Sequence, residues 1–208
     1  PRYTLYHAIW EGAATEQCLV PVRDGLDALL ADGTLAQLEL ILADRPHREA
    51  SLREALGQVG DYDVAIFDCP PSLSLIIVNA FYAADSLIAP VQMELLSFRG
   101  LMQTLEYAQF MGRYLQYQPG FFGVVPTMLR EDSGWQMRWL RRLRASMPAE
   151  RVATPIPYDS AIPEGLQRGR TVFEVDTASP AASGYSELVD RVAGDLATPQ
   201  PQGMRTGS

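Results

Sequence analysis

Lysine is absent from this sequence of 208 residues, and all seventeen of its basic residues are arginine. Lysine is normally among the commonest amino acids, so its absence has a chemical consequence. A Walker A loop, G-x-x-x-x-G-K-[ST], uses its lysine ammonium to reach the β- and γ-phosphates of a nucleotide. No such loop can lie within these residues.

Cysteine is scarce, and long apolar runs are missing. The two cysteines, Cys18 and Cys69, lie far apart and form no C-x-x-C pair, which excludes a disulfide framework and a zinc site of the usual spacing. No stretch approaches the length of about 20 apolar residues that a membrane-spanning helix needs. The first residues also lack the basic-then-apolar pattern of a secretory signal. We therefore expect a cytoplasmic protein.

Acidic residues outnumber basic ones and leave a formal net charge of −8. That charge argues against a protein wholly devoted to nucleic acid. The composition, 47% hydrophobic and 20% charged, is typical of a globular protein, and the length suits one domain. We predict that this domain covers residues 1–197. Residues 198–208, rich in proline, glutamine and glycine, predict a disordered tail.

Apolar segments of strand length alternate with segments of helical periodicity along the chain. The pattern predicts helices at residues 5–9, 35–43, 50–59, 75–84, 100–115, 134–147 and 179–196. It predicts strands at residues 19–22, 26–31, 63–68, 86–91, 121–125 and 152–156. Such alternation indicates an α/β fold with a mostly parallel sheet flanked by helices.

The most informative segment is the apolar run 63–68, which ends in Asp68. A run without alternation suits a strand buried on both faces. An aspartate at the carboxyl end of such a strand can hold Mg²⁺ in the manner of a Walker B motif. The pattern alone leaves open that Asp68 only caps a turn. The next residues, Cys69-Pro70-Pro71-Ser72, favour the Walker B interpretation of Asp68.

The sequence Asp68-Cys69-Pro70-Pro71-Ser72 resembles the DCPPS segment of the ParA/Soj partitioning ATPases, a deviant branch of the P-loop fold. Several further stretches resemble motifs of the same family, in the same order. They lie at residues 4–6, 78–80, 83–85, 88–92, 123–128, 156–159, 164, 169–170 and 173–176. Many motifs in order are far more specific than any one of them.

The resemblance implies a set of site residues. Asp68 would hold Mg²⁺ through water, and a switch segment sensing the γ-phosphate would contain Cys69, Pro70 and Pro71. The residues near the adenine would be Thr127, Met128, Pro157 and Asp159. It also implies that ATP drives formation of a homodimer on nonspecific DNA in the nucleoid, and that a ParB-like centromere-binding partner triggers hydrolysis.

The resemblance also implies a missing part. In the family the phosphate-binding loop and the catalytic aspartate precede the stretch that resembles residues 4–6. We therefore predict a truncated ParA-like ATPase domain that by itself neither binds ATP and Mg²⁺ tightly nor hydrolyses ATP. A fragment, a gene model begun too late and a naturally shortened protein all remain open. The last corresponds to an alternative function, a non-catalytic pseudo-ATPase that interacts with DNA or with a partner.

One predicted helix, 134–147, is strongly basic in an otherwise acidic chain. On a helical wheel Arg138, Arg141 and Arg142 lie opposite an apolar side and beside Trp135. Arginine binds phosphate oxygens bidentately, so we hypothesise that these residues contact the DNA backbone, with Arg130 and Arg170 adding to the surface. Charge alone favours a solvated helix face, whereas the resemblance to ParA proteins, which bind DNA nonspecifically through basic residues of their C-terminal half, favours DNA contact.

Two related functions fit the sequence less well. A MinD-like membrane-cycling ATPase would need an amphipathic C-terminal helix, whereas residues 199–208 are polar and helix-breaking. An electron donor of the iron-protein kind would need a set of cluster-ligating cysteines. We therefore expect no membrane partner.

Overall fold

The computed structural model describes residues 2–60, 62–70 and 74–197. It divides into two compact units, Pro1–Ala84 and Asp85–Ser208. The predicted tail 198–208 lies outside the described residues, as does Pro71. Within the described residues, no helix is long and apolar enough to cross a membrane. The expectation of a single domain over residues 1–197 stays a prediction.

The Pro1–Ala84 unit combines short helices with one β-hairpin. A π-helix, His7–Glu11, and a 3-10 helix, Arg48–Ala50, accompany the regular elements. These are α1 Thr15–Cys18, β1 Leu19–Arg23, β2 Leu26–Leu29, α2 Leu35–Ile41, α3 Ser51–Leu56 and α4 Leu75–Ala83. The antiparallel β1–β2 pair turns at Gly25, whose φ of 70° is readily adopted by glycine.

The helices of this unit pack around a core that includes Leu38, Leu42 and Leu52. A buried amide joins two of them. The Asn79 Oδ1 accepts a hydrogen bond from the backbone N–H of Leu52 at 3.0 Å, and its Nδ2 donates to the carbonyl of Leu75 at 3.0 Å. Because Asn79 is only 1% exposed, these bonds satisfy a polar group that would otherwise be costly to bury.

The prediction of a buried strand at residues 63–68 is wrong. Residues 62–70 form no helix or strand, and Ile66 is 88% exposed. The segment is attached to its own unit by Phe67, which packs against the core, and by the Tyr62 hydroxyl, which donates to the Asp27 carboxylate. A strand needs a neighbour for its backbone N–H and C=O groups, and no strand of the described residues pairs with this segment.

The Asp85–Ser208 unit is built on a parallel strand pair. A 3-10 helix, Ala149–Arg151, accompanies its regular elements. These are β3 Ser86–Gln92, α5 Leu95–Leu115, β4 Gly120–Thr127, α6 Gly134–Ser146, α7 Ala161–Gln167, α8 Val172–Val175 and α9 Pro180–Ala197. The sequence predicted both strands, α6 and α9 closely. It missed α7 and α8, and it predicted the start of α5 too late, at Gly100 rather than Leu95.

Helices cover both faces of this sheet. Along β4, Val124 packs with Leu101 of α5 and with Leu140 and Leu143 of α6. The next residue, Val125, packs in a second cluster with side chains of α7, α8 and α9. Alternate side chains of a strand point to opposite faces, and with both faces covered the β4 run 122–126 is buried throughout. The predicted α/β class with a parallel sheet is confirmed.

A bulge interrupts the pairing of β3 with β4. Leu87 pairs with Phe121, whereas Ile88 pairs with Gly123, so Phe122 is the extra residue. Gly123 has a φ of 151°, and a Cβ added there would lie 2.5 Å from the Arg151 carbonyl oxygen. Only glycine fits this conformation and this close approach.

The predicted strand 152–156 does not form, and two isolated bridges lie at its start and just after its end. Val152 pairs in parallel with Val124, and Pro157 pairs in parallel with Leu129. The segment does follow β4, because the N–H of Ile156 donates to the Pro126 carbonyl at 2.8 Å. Prolines at 155 and 157 have no N–H to donate, so a continuous ladder cannot form.

Candidate nucleotide edge and candidate nucleic-acid interface

The carboxyl ends of β3 and β4 bring together several predicted site residues. Gln92 and Thr127 are paired at the last positions of the two strands. The following residue, Met128, has a φ of 53°, and the Gln92 Nε2 donates to its Sδ at 3.1 Å. A non-glycine residue in the left-handed region is uncommon and costs backbone strain. The strained turn points to a functional edge, since ligands bind at the carboxyl ends of parallel strands.

Pro157 joins the same edge through main-chain pairing. The Leu129 N–H donates to the Ile156 carbonyl at 3.1 Å, and the Tyr158 N–H donates to the Leu129 carbonyl at 2.8 Å. Thr127, Met128 and Pro157, which are distant in sequence, therefore lie along one edge of the sheet. We call these residues, together with Gln92 and Tyr158, the carboxyl edge.

Asp159 follows the carboxyl edge, but its carboxylate is already occupied. Its Oδ1 accepts the N–H of Ala161 at 2.9 Å, and the Ser179 hydroxyl and the Ala181 N–H also hydrogen-bond to the carboxylate. These bonds, that of Ala161 foremost, lower the pKa of Asp159 below its ordinary value, with burial opposing. The arrangement supports a role for Asp159 in joining the starts of α7 and α9.

Sequence reasoning did not single out Tyr158 or the fixed position of Arg130. The Arg130 guanidinium lies over the Tyr158 ring, 3.8 Å from its centroid. The Arg130 N–H donates to the Gln136 Oε1 at 2.6 Å, which ties the loop after β4 to α6. No periodicity connects positions 130 and 158, so only the main-chain pairing of Leu129 with Pro157 brings them together.

The second candidate site is the exposed side of α6. Leu140 and Leu143 are buried in the core, while Arg138, Arg141 and Arg142 lie on the side away from it, as the helical wheel predicted. We call these three arginines the arginine face. In the part of the chain that the structure describes, no ion pair links any of them to a carboxylate. Their charge is therefore available to an external anion.

The remaining predicted DNA contact, Arg170, lies elsewhere. It follows α7, and its N–H donates to the Gly165 carbonyl at 2.9 Å. The α7 and α8 helices belong to the cluster on the face of the sheet opposite α6. The structure thus does not bring Arg170 to the arginine face, whereas Arg130 lies in the loop that leads into α6.

Comparison with known proteins decides the family. The family model described as an AAA domain, AAA_31, matches residues 2–118. The sporulation initiation inhibitor protein Soj of Bacillus subtilis is 32% identical over 171 residues, which cover 82% of this chain and 68% of Soj. The chromosome partitioning protein ParA of Caulobacter vibrioides is 29% identical over 195 residues, which cover 92% of this chain and 73% of ParA.

The chain belongs to the ParA/Soj family of partitioning ATPases. A solved structure shows the same fold. Cobyrinic acid a,c-diamide synthase from Mycobacterium smegmatis, with bound ADP and magnesium, matches with a TM-score of 0.75 and 26% identity over 99% of this chain and 77% of that one. The match covers nearly all of this ParA/Soj chain, so the expected deviant P-loop architecture is confirmed.

The described residues of this ParA/Soj chain do not fit a magnesium–triphosphate group. They contain no cluster of three histidine, cysteine, aspartate or glutamate side chains able to hold a metal. Asp68 lies in the unpaired segment 62–70 of the Pro1–Ala84 unit rather than at the end of a strand. The sequence also has no lysine for the triphosphate. We therefore derive no catalytic step through ATP or Mg²⁺.

The switch residues of this chain share that segment. Cys69 and Pro70 are exposed, and the predicted switch residue Pro71 lies outside the described residues. Partial desolvation raises the pKa of the Cys69 thiol, and the neighbouring Asp68 carboxylate raises it further. A thiol of raised pKa is a weak nucleophile at neutral pH. This agrees with a structural role for Cys69 rather than a role as a nucleophile.

Proposed function

We propose that this chain serves in ParA-like partitioning of plasmid or chromosomal DNA, with α6 as its nonspecific DNA-binding element. The arginine face carries the proposal. Four arginines and no acidic residue lie within Gly134–Ser146, and the three guanidinium groups of the arginine face have no carboxylate partner among the described residues. A surface of this kind binds phosphates and releases counterions, independently of base sequence.

The carboxyl edge is the second element of the proposal. Thr127, Met128 and Pro157 would face the adenine of ATP in a complete nucleotide site. The grip on the phosphates, which needs a lysine and a glycine-rich loop, would come from residues other than these 208. In this proposal, nucleotide-dependent dimerisation and a ParB-like partner control DNA release in the nucleoid, as the family implies.

The exposed segment 62–70 supports the proposal that residues other than these 208 complete the nucleotide site. Its apolar residues Val64 and Ile66 are 50% and 88% exposed, an unusual state for a run of strand-forming side chains. We propose that the segment becomes the Walker B strand, with Asp68 at its end, when a further strand pairs with it. Slowed hydrogen exchange of its amides in a form of the protein that carries the phosphate-binding loop would support this; unchanged exchange would contradict it.

The DNA-binding proposal is tested by replacing Arg138, Arg141 and Arg142 together with glutamine. Binding to a labelled duplex is followed by fluorescence anisotropy over a range of salt concentrations. The slope of log K against log salt should fall in magnitude by about 2.7, since each phosphate that is no longer neutralised accounts for about 0.9. Unchanged affinity and slope would contradict the assignment.

A matched control removes the same charge elsewhere. Replacing the exposed residues Arg2, Arg45 and Arg48 with glutamine also lowers the net charge by three, but it leaves α6 intact. The control should retain the salt slope of the unaltered protein. An equal decrease in both variants would mean that overall charge, and not the arginine face, governs DNA binding.

An ATP titration separates the leading function from the alternative. We expect calorimetry to detect no ATP binding by these 208 residues, because they contain no lysine to hold a triphosphate. Micromolar binding would contradict this account of the phosphate site. The alternative, a non-catalytic pseudo-ATPase that interacts with DNA or a partner, is favoured if DNA binding also proves independent of ATP in a longer form of the protein.

A further inference from the structure

An aromatic stripe runs along α6 beside the arginine face. Trp135, Arg138, Trp139 and Arg142 occupy positions i, i+3, i+4 and i+7, so they lie on one side of the helix. Phe98 of α5 adjoins them. We call these five residues the arginine–tryptophan stripe. Phosphate binding by the arginine face depends on charge and does not require these aromatic rings.

Ring contacts hold the stripe together. The Arg138 guanidinium lies over the Trp135 ring at 5.2 Å, and the Arg142 guanidinium lies over the rings of Trp139 at 5.4 Å and Phe98 at 5.8 Å. The Trp135 and Trp139 rings meet edge to face at 6.0 Å. These cation–π contacts involve no carboxylate, and no described carboxylate forms an ion pair with Arg138 or Arg142, so both guanidinium groups remain available for phosphate.

The rings differ in exposure. Trp139 and Phe98 pack against the core cluster of the sheet and are only partly exposed. Trp135 stands at the first turn of α6 and is 52% exposed. An indole ring with half its surface in water, held by a fixed aromatic neighbour and bordered by the guanidinium groups of the arginine face, is not explained by packing. It presents an aromatic surface within a positively charged one.

We propose that Trp135 is a stacking platform for a base of single-stranded DNA, whose phosphates the arginine face binds. Base–aromatic stacking combined with a positive surface is the usual basis of single-strand binding. A duplex keeps its bases stacked inside, so it engages the arginines without using the indole. The inference rests on the proposed DNA-binding function and adds to it a second DNA form, bound through a different side chain.

The experiment compares the two DNA forms in matched variants of the protein. A labelled oligothymidine and a labelled duplex are titrated against the unaltered protein, Trp135→Leu, Trp135→Phe and Trp10→Leu. Trp10 serves as the control because it is also exposed, at 46%, but lies in the Pro1–Ala84 unit. Tryptophan fluorescence is recorded in parallel, since a stacked base quenches the indole it covers.

For Trp135→Leu we expect the affinity for oligothymidine to fall by about fivefold to 150-fold, the equivalent of losing one stacked base. Duplex affinity should fall much less, because the three charges of the arginine face are still present. Trp135→Phe keeps a ring and should show a smaller decrease. Oligothymidine should quench the fluorescence of the unaltered protein and of Trp10→Leu, and the quenching should largely disappear in Trp135→Leu.

Several results would overturn the inference, and they point to different faults. Equal oligothymidine binding by Trp135→Leu and the unaltered protein would show that the ring is not a platform. An equal decrease in affinity for both DNA forms would show that Trp135 only positions Arg138. Duplex binding without any single-strand binding would remove the inference and leave the proposed function standing, whereas binding of neither form would remove both.

Discussion

Gly123 lies at the β4 bulge, and its replacement by alanine should strongly destabilise the Asp85–Ser208 unit. The new Cβ would lie 2.5 Å from the carbonyl oxygen of Arg151 and 3.3 Å from its Cα. Overpacking against a rigid backbone costs about 1–3 kcal/mol, and a φ of 151° adds about 1–3 kcal/mol of strain for any other residue. Because one relaxation relieves part of both effects, we expect a net decrease in stability of about 3 kcal/mol.

Urea unfolding followed by circular dichroism measures this decrease. With a slope of about 2 kcal/mol per molar urea, the midpoint should fall by about 1.5 M. Gly100→Ala is the matched control, since Gly100 lies inside α5 and nothing lies within 4 Å of a Cβ added there. The free energy of unfolding of Gly100→Ala should rise by about 0.5–1 kcal/mol. A change of less than about 0.5 kcal/mol for Gly123→Ala would refute the bulge argument.

The remaining predictions concern buried polar groups and pH. Ser51→Ala should raise the free energy of unfolding by up to about 1 kcal/mol, because the Ser51 hydroxyl is buried with no hydrogen-bond partner among the described residues; a clear decrease in the urea midpoint would contradict this. Asn79→Ala should lower the free energy of unfolding by about 2–3 kcal/mol, because the buried N–H of Leu52 loses its acceptor. An unchanged free energy of unfolding would contradict a stabilising role for this hydrogen bond. Asp159 has a lowered pKa when folded, so its stabilising contribution is present above the ordinary aspartate pKa and is lost as pH falls through the folded value. Asp159→Asn should therefore reduce the loss of unfolding free energy as the pH is lowered. An unchanged dependence of stability on pH would contradict a stabilising role for the Asp159 carboxylate.

Most secondary structure could be predicted because the deciding forces are local. Apolar residues that repeat at helical spacing marked α6 and α9, and a short apolar run marked β4, where both faces of the strand are covered. Two predicted strands failed for a reason that is not local. At residues 63–68 the described part of the chain supplies no neighbouring strand, and near residue 155 prolines interrupt the ladder, so strand propensity alone was insufficient.

The candidate sites divide in the same way. The arginine face followed from spacing, because a helical wheel depends only on positions along one element. The ordered motifs also indicated that Thr127, Met128 and Pro157 belong to one site. Sequence could not show that Met128 takes a left-handed conformation, or that Arg170 lies on the other side of the sheet from α6. Nor could it show that the Asp159 carboxylate contacts the starts of α7 and α9.

The amino-acid sequence by itself determined the family, the α/β class, the absence of a lysine for phosphate and the exposed side of α6. Each of these depends on residue identity or on spacing within one element. The tertiary structure alone decided that Arg130 lies over Tyr158, that residues 62–70 pair with no strand of the described chain, and that Phe98 of α5 meets Trp139 and Arg142 of α6. These features require segments distant in the chain to meet or to lack a neighbour, and only the packed fold establishes which segments become neighbours.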